Sequence, residues 1–356
     1  MSDIDWFLLA LALAIAAIGV VEIYSTTLHS PLAGQFKKQI YWIILCSVLA
    51  LAASRLDYHL VLEQTPWLYA ICVLLLAALL VVGHSIAGTR RWLQIGPMSF
   101  QVSEIGKLII ILVVAAYFAN RRSKGVTWGD LVKLGAFAGI PAVLVALEPD
   151  LGTALTFVPI VAVGILFAGI RLQQIAVLFL LGILALPVGW HFLKPYQRER
   201  LLTYIHPKQH TQTSSYQVTQ TKIAIGSGGF WGKGLGNGTQ SRLGFIPVSH
   251  ADAIFAAFAE EQGFVGTLLV LLLYFALLLR LLDGAQMAPD RAGAFLLIGL
   301  AAVLFFQVVL NTGMMIGILP ITGVPLPLMS QGGSSLLFTF LGLGLAMSVR
   351  ARRYVN

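Results

Sequence analysis

Asp252 stands in "SHADAIFAAFAEEQG" at the start of a long apolar run, with Ala253, Ile254 and Phe255 beside it. A carboxylate set half into an apolar wall is pushed toward its neutral form, which tunes it for proton transfer near neutral pH. The plainer alternative is an N-cap for a helix beginning at 253. Glu260 and Glu261 lie two turns deeper in the same run. Buried acids there need partners, and Lys or Arg from the preceding segment are candidates.

Cations gather in a few places. Arg90 and Arg91 stand in "AGTRRWLQIGPMSFQVSEIGKLI" (87–109), Arg198 and Arg200 in "KPYQRERL" (194–201), and Lys222 and Arg242 further on. With Lys107 they are the residues able to stabilise a departing anion in a site that excludes water. Glu104 and Lys107 are three apart at the start of an apolar helix, so they share a face. They read either as an interfacial ion pair or as part of an anion-binding wall. In "EPDLGTAL" (148–155), Asp150 suits a helix cap, or Glu148 and Asp150 together face a cation. The glycine-rich stretch from Gly226 to Gly244 meets no nucleotide signature, since Gly234 follows Lys233 where a P-loop needs Ser or Thr. The stretch "NTGMMIGILPITGVPLPLMSQGGSSLL" (311–337) carries three prolines and the small polar pair Ser334 and Ser335. Irregular backbone at membrane depth is tolerated only where it is buried in protein or lines a wet cavity.

The elements that must position these residues follow from composition. Of 356 residues 58% are hydrophobic and 11% charged, against about 25% charged in a soluble domain. Mean hydropathy is +0.86. Apolar runs near 6–24, 40–54, 66–83, 105–119, 132–147, 153–170, 173–190, 253–282, 292–311 and 333–349 give about ten transmembrane helices of about 20 residues each. The fold class is an all-α polytopic membrane protein, read as a single integral-membrane domain over 1–356. Continuous rather than alternating runs exclude a β-barrel. Acidic Asp3 and Asp5 before the first run argue against a cleaved signal. Cys46 and Cys72 both fall inside apolar runs and suggest neither a disulfide nor a metal site.

The net charge of +8 sets topology rather than marking a nucleic-acid surface. Arg55, Arg121, Arg122, Lys124, Arg171, Arg280, Arg291, Arg350, Arg352 and Arg353 fall on one side, against Lys37, Lys38, Arg90 and Arg91 on the other. The bias puts both termini in the cytoplasm. The long segment 191–251, between the seventh and eighth spans, is then extracytoplasmic, as are the chemical clusters. Within it Val218 to Ile225 reads as an amphipathic helix.

The stretches "KPYQRERL", "YQVTQTKIAIGSGG", "GKGLGNGTQ", "FIPVSHADAIFAAFAEEQG", "NTGMMIGILPITGVPLPLMSQGGSS", "GTRRWLQIG", "FQVSE" and "EPDLGTA" resemble the SEDS proteins of shape, elongation, division and sporulation. The likeness covers nearly the whole chain and is greater to the elongation member than to the division member. The family usually has Gln at Glu148, Pro at Val102, Tyr at Gln331 and Thr at Ala251. The resemblance implies a peptidoglycan glycosyltransferase of the inner membrane. Its substrate would be lipid II, the undecaprenyl-diphosphate-linked disaccharide-pentapeptide, polymerised into the nascent glycan strand outside the cell. A class B penicillin-binding protein would be its crosslinking partner. The family's essential aspartate maps onto Asp252. The diphosphate-binding candidates are Arg90, Arg91, Lys107, Arg198, Arg200, Lys222 and Arg242. Glu104, Glu148, Asp150, Glu260, Ser334 and Ser335 would support the site. A divalent cation, magnesium or manganese, is a candidate cofactor, although no ligand cluster is specific to one. The alternatives are a lipid II flippase and a non-catalytic scaffold for the penicillin-binding protein. Polar residues lopsided toward one face favour the enzyme over a flippase, which needs a polar path through both.

Overall fold

The computed structural model describes residues 4–353 apart from 29–31, 83, 87–88, 96–97, 120, 122–124, 206–213 and 247–248. Its helices are α1 (Trp6–Thr27), α2 (Gln35–Arg55), α3 (Tyr58–Glu63), α4 (Thr65–Val82), α5 (Val102–Ala119), α6 (Trp128–Leu147), α7 (Leu151–Leu155), α8 (Phe157–Phe167) and α9 (Leu172–Phe192). The long segment adds α10 (Pro195–Ile205), α11 (Ser214–Gly228) and α12 (Thr239–Arg242). The chain closes with α13 (Ile254–Gln286), α14 (Arg291–Met315) and α15 (Gly333–Ala351). Among the described residues eight helices are long and apolar enough to cross a membrane, and the shorter runs Thr65–Val81 and Leu151–Phe167 fall on the other two expected spans.

One feature departs from an all-helical reading. Residues 84–100 form a small antiparallel sheet, β1 (His84–Ile86), β2 (Thr89–Ile95) and β3 (Met98–Phe100), in the order β1-β2-β3. The backbone polar groups of these strands pair with one another, β1 with β2 and β2 with β3.

α5, α14 and α15 are buried along most of their length and form the core, whereas α9 is exposed along nearly all of its own. In lipid, apolar surface alone gives helices little reason to associate, so close contact rests on small residues. Gly344 of α15 lies against Ala50 and Ala53 of α2, and Gly299 of α14 against Ile111 of α5. At the end of the bundle where the chain begins and finishes, Asp5 accepts from Arg280 at 2.9 Å and pairs with Arg350 at 3.3 Å. Asp5 also caps α1 by accepting the Leu8 N–H.

The segment 191–251 is not a passive loop. The expected helix at 218–225 lies within α11, and the glycines that follow dock backbone to backbone on α13. Lys233 N–H donates to the Glu260 carbonyl at 3.1 Å, Gly234 N–H to the Glu261 carbonyl at 2.9 Å, and Phe264 N–H to the Gly229 carbonyl at 3.0 Å. α13 breaks at Gly263, where φ is 66° and ψ is −163°. Side chains at Gly232 or Gly263 would strike each other's strand of backbone. Glycine is required at this crossing for close approach as well as for positive φ.

Candidate active site

Asp252 lies in the turn that leads into α13. The helix begins at Ile254, with Ala253 at the N-cap position. The turn is fixed through its main chain. Three successive carbonyls each accept from a different donor: His250 from Gln331 N–H at 3.1 Å, Ala251 from Ser330 Oγ at 2.8 Å, and Asp252 from Asn311 Nδ2 at 2.9 Å. Burial pushes the His250 imidazole below its ordinary pKa, so this neighbour is neutral at pH 7.

The partly extended stretch between α14 and α15 forms the facing wall. Gly323 has φ of 76°, and a methyl group there would lie 3.4 Å from Asp252 Oδ2 and 3.9 Å from Arg200 Nη1. Asp252 and Arg200 therefore flank the same bare piece of backbone. Arg200 and Lys222 both line a cavity of about 80 Å³ with Thr203, Thr219, Tyr204 and Pro320. Its walls come from α10, α11 and the turn after α14. Two cations with hydroxyls suit an anion, and guanidinium in particular suits phosphate oxygens.

The other cations lie elsewhere. Arg198 donates to the His191 carbonyl at 2.8 Å and faces the Trp190 ring, turned toward the end of α9. Arg242 is exposed at the end of α12. Arg90 and Arg91 fall on β2, with side chains outside the described residues.

Glu104 and Lys107 meet on one face of α5. Nζ lies 2.7 Å from Oε2, both side chains are buried, and the ammonium sits 4.4 Å from the centre of the Phe338 ring. A relay of polar contacts runs from this turn of α5. Ser334 Oγ accepts the Gln101 N–H at 2.9 Å, and Gln101 Nε2 donates to Asp150 Oδ2 at 2.6 Å. Asp150 caps α7 by accepting the Thr153 N–H at 3.1 Å. Gly152 then packs on the Thr322 carbonyl, next to Gly323. Glu148 is buried at the C-terminal end of α6. The Ser335 carbonyl accepts from Thr339 within α15.

Glu260 finds its partner in Lys233 at 2.6 Å and also accepts from Thr239 and from the Gln240 and Ser241 N–H groups. It ties α12 to α13. Glu261 accepts from Ser25 of α1 at 2.6 Å and from Gly236 N–H at 3.1 Å. Ser25, Asn311 and Ser330 escape a reading by residue type, because small polar side chains look like helix filler. The signal for Asn311 is an amide in an apolar run just before the irregular stretch that follows α14, which is expensive at membrane depth unless used. Among the described residues no three His, Cys, Asp or Glu side chains gather as a metal site.

The whole sequence has relatives. A family described as "Cell cycle protein", FtsW/RodA/SpoVE, matches residues 5–355. The peptidoglycan glycosyltransferase MrdB of Escherichia coli (strain K12) is 38% identical over 355 residues, covering 98% of this chain and 94% of that one. The peptidoglycan glycosyltransferase RodA of Treponema pallidum is 31% identical, covering 99% of each. Among solved structures, the rod shape determining protein RodA of Thermus thermophilus is 32% identical with a TM-score of 0.75, covering 99% of this chain and 98% of that one. A chain of a peptidoglycan synthase complex, solved for its coordination of polymerization and crosslinking, is 34% identical with a TM-score of 0.86 over 100% of both chains. With a match spanning all but the first four residues and the last, this chain belongs to the FtsW/RodA/SpoVE family of SEDS proteins.

Proposed function

We propose that this chain polymerises lipid II into glycan strands during cell elongation, with Asp252 as general base. It is a peptidoglycan glycosyltransferase, as its MrdB and RodA relatives are named. The observation that carries the site assignment is the placement of Asp252. Its carboxylate lies across Gly323 from Arg200, and Arg200 lines a cavity together with a second cation, Lys222.

The donor sugar is α-linked to a polyprenyl diphosphate and the product linkage is β, so the configuration inverts in one displacement. Asp252 takes the proton from the acceptor 4-hydroxyl. The oxygen forms a bond to the donor C1 as the C1–O bond to diphosphate breaks, and the electron pair leaves on the diphosphate. Arg200 and Lys222 stabilise that developing charge where water is scarce. The apolar helix faces beside the cavity hold the polyprenyl chain. Among the described residues no three His, Cys, Asp or Glu side chains are placed to hold magnesium or manganese.

The excess of Lys and Arg around the termini puts them in the cytoplasm, with the Asp252 face and segment 191–251 outward. Crosslinking of the strands falls to a class B penicillin-binding protein bound to this chain. That reading is supported by the likeness to a chain from a complex joining polymerization to crosslinking. Incubating the purified full chain with labelled lipid II tests the proposal. Glycan strands are expected from the wild type and none from Asp252→Ala. Strands from both would remove the assignment.

A further inference from the structure

Asn311 is fully buried in the last turns of α14. Its Nδ2 donates to the Asp252 carbonyl at 2.9 Å and to the Val324 carbonyl at 2.8 Å. Both partners only accept, so the amide nitrogen must be the atom that faces them. Among the described residues its own buried Oδ1 meets no hydrogen-bond donor. An amide held this way costs more in desolvation than an apolar side chain of the same shape, which points to a purpose other than stability.

The geometry suggests that purpose. One side chain holds both main chains that define the site: the turn carrying Asp252, and the Gly323–Val324 backbone against which the Asp252 carboxylate lies. Ser330 repeats the arrangement one residue back. Its Oγ donates to the Ala251 carbonyl and accepts the Leu326 N–H, both at 2.8 Å. These two residues thus tie the start of α13 to the irregular stretch that faces it.

We propose that Asn311 is the positioning residue for Asp252, and that its two bonds set the carboxylate against the Gly323 wall and Arg200 at the separation the proton transfer needs. The proposal rests on the reading of Asp252 as general base. A displacement of about 1 Å at a reacting group can lower a rate about 10²-fold. Losing Asn311's donors is therefore expected to lower kcat by about 10- to 100-fold. Affinity for the lipid-linked substrate should survive, because the two cations of the cavity, Arg200 and Lys222, stand on α10 and α11 rather than on the segments that Asn311 bonds.

The test uses the full chain in lipid nanodiscs with labelled lipid II. Rates are divided by the amount of protein that binds lipid II, so misfolded protein does not count. Asn311→Leu removes both donors. Asn311→Asp is nearly isosteric and keeps the fold testable if the leucine variant does not assemble. Ionised, the new acid donates to neither carbonyl; protonated, it donates to one. The charged group across from Asp252 is Arg200, and His250 is neutral beside it, so the ratio of Asn311→Asp to wild-type turnover should rise as pH falls. Normal lipid II affinity, a kcat loss of about 10- to 100-fold at pH 8 and that recovery support the proposal. A kcat within about twofold of wild type at every pH, or a loss confined to KM, overturns it. Asp252→Asn in the same assay separates the two claims. If it is inactive while both Asn311 variants run at wild-type rate, only the positioning claim falls. If it is active, the assignment of the base falls and the positioning claim with it.

Discussion

Glu104 and Lys107 are both buried and only 2.7 Å apart, so neither can lose its partner cheaply. Removing one is expected to cost about 3–5 kcal/mol, because the other is left charged and alone. The double variant Glu104→Gln with Lys107→Met should be less damaged than the sum of the singles. Thermal unfolding of all four proteins checks this, and strict additivity would contradict it. The cations separate by what they touch. Arg200→Lys should weaken lipid II affinity, since lysine cannot reproduce a planar two-pronged contact to phosphate. Arg198→Lys should leave affinity near wild type, its guanidinium being turned to the His191 carbonyl. Equal affinities for wild type and both variants would move the diphosphate elsewhere. At this scale the sequence marked ionisable residues well: the Glu104–Lys107 contact and a basic partner for Glu260 follow from spacing and burial cost. It did not mark Asn311 or Ser330, whose importance depends on which carbonyls come within reach after folding.

Elements in this chain are held as much by what they exclude as by what they bond. Gly232 and Gly263 cross so closely that either Cβ would enter the other's backbone. Gly263→Ala should detach the 228–236 stretch from α13 and free the Glu260 and Glu261 side chains from their partners there. The expected result is lower thermal stability together with faster proteolysis near Phe230 and Trp231. An unchanged digestion pattern would contradict that account. Apolar run length gave the helices, and Gly and Pro density gave the breaks. The use of the breaks was not legible. A glycine-rich loop reads as a phosphate cradle or a flexible linker, yet here most of its glycines serve contact with a kinked helix. The sheet of β1, β2 and β3 was also hidden, because β1 and β3 are three residues each and β2, TRRWLQI, does not alternate apolar with polar.

Considered whole, the molecule is a bundle whose two ends carry different chemistry. One end holds Asp252, Arg200 and Lys222. The other holds ion pairs that tie the termini to the helices between them, and also His59, which lies 2.9 Å from Asp57 and 2.6 Å from Asp290. Partial burial alone would lower the His59 pKa, but hydrogen bonds to Asp290 and then Asp57 outweigh it and raise the value. A raised folded value means the charged imidazole stabilises fully below its unfolded pKa of about 6.5. That contribution is lost as pH climbs through the folded value. The Tm gap between wild type and His59→Gln should therefore be wider at pH 6 than at pH 8.5; a gap independent of pH would contradict it. Of the ten expected runs, eight among the described residues are long and apolar enough to cross a membrane and two are shorter. The all-helical polytopic class was readable from composition. The joining of distant segments into one site was not, since residues 200, 222, 252, 311 and 323 meet only through tertiary packing. Asp252→Asn tests the role of Asp252 as a base most directly, keeping shape while removing the proton acceptor. Polymerisation of labelled lipid II should fall by about 10²- to 10⁴-fold with lipid II affinity preserved. Near wild-type polymerisation by Asp252→Asn would contradict the account.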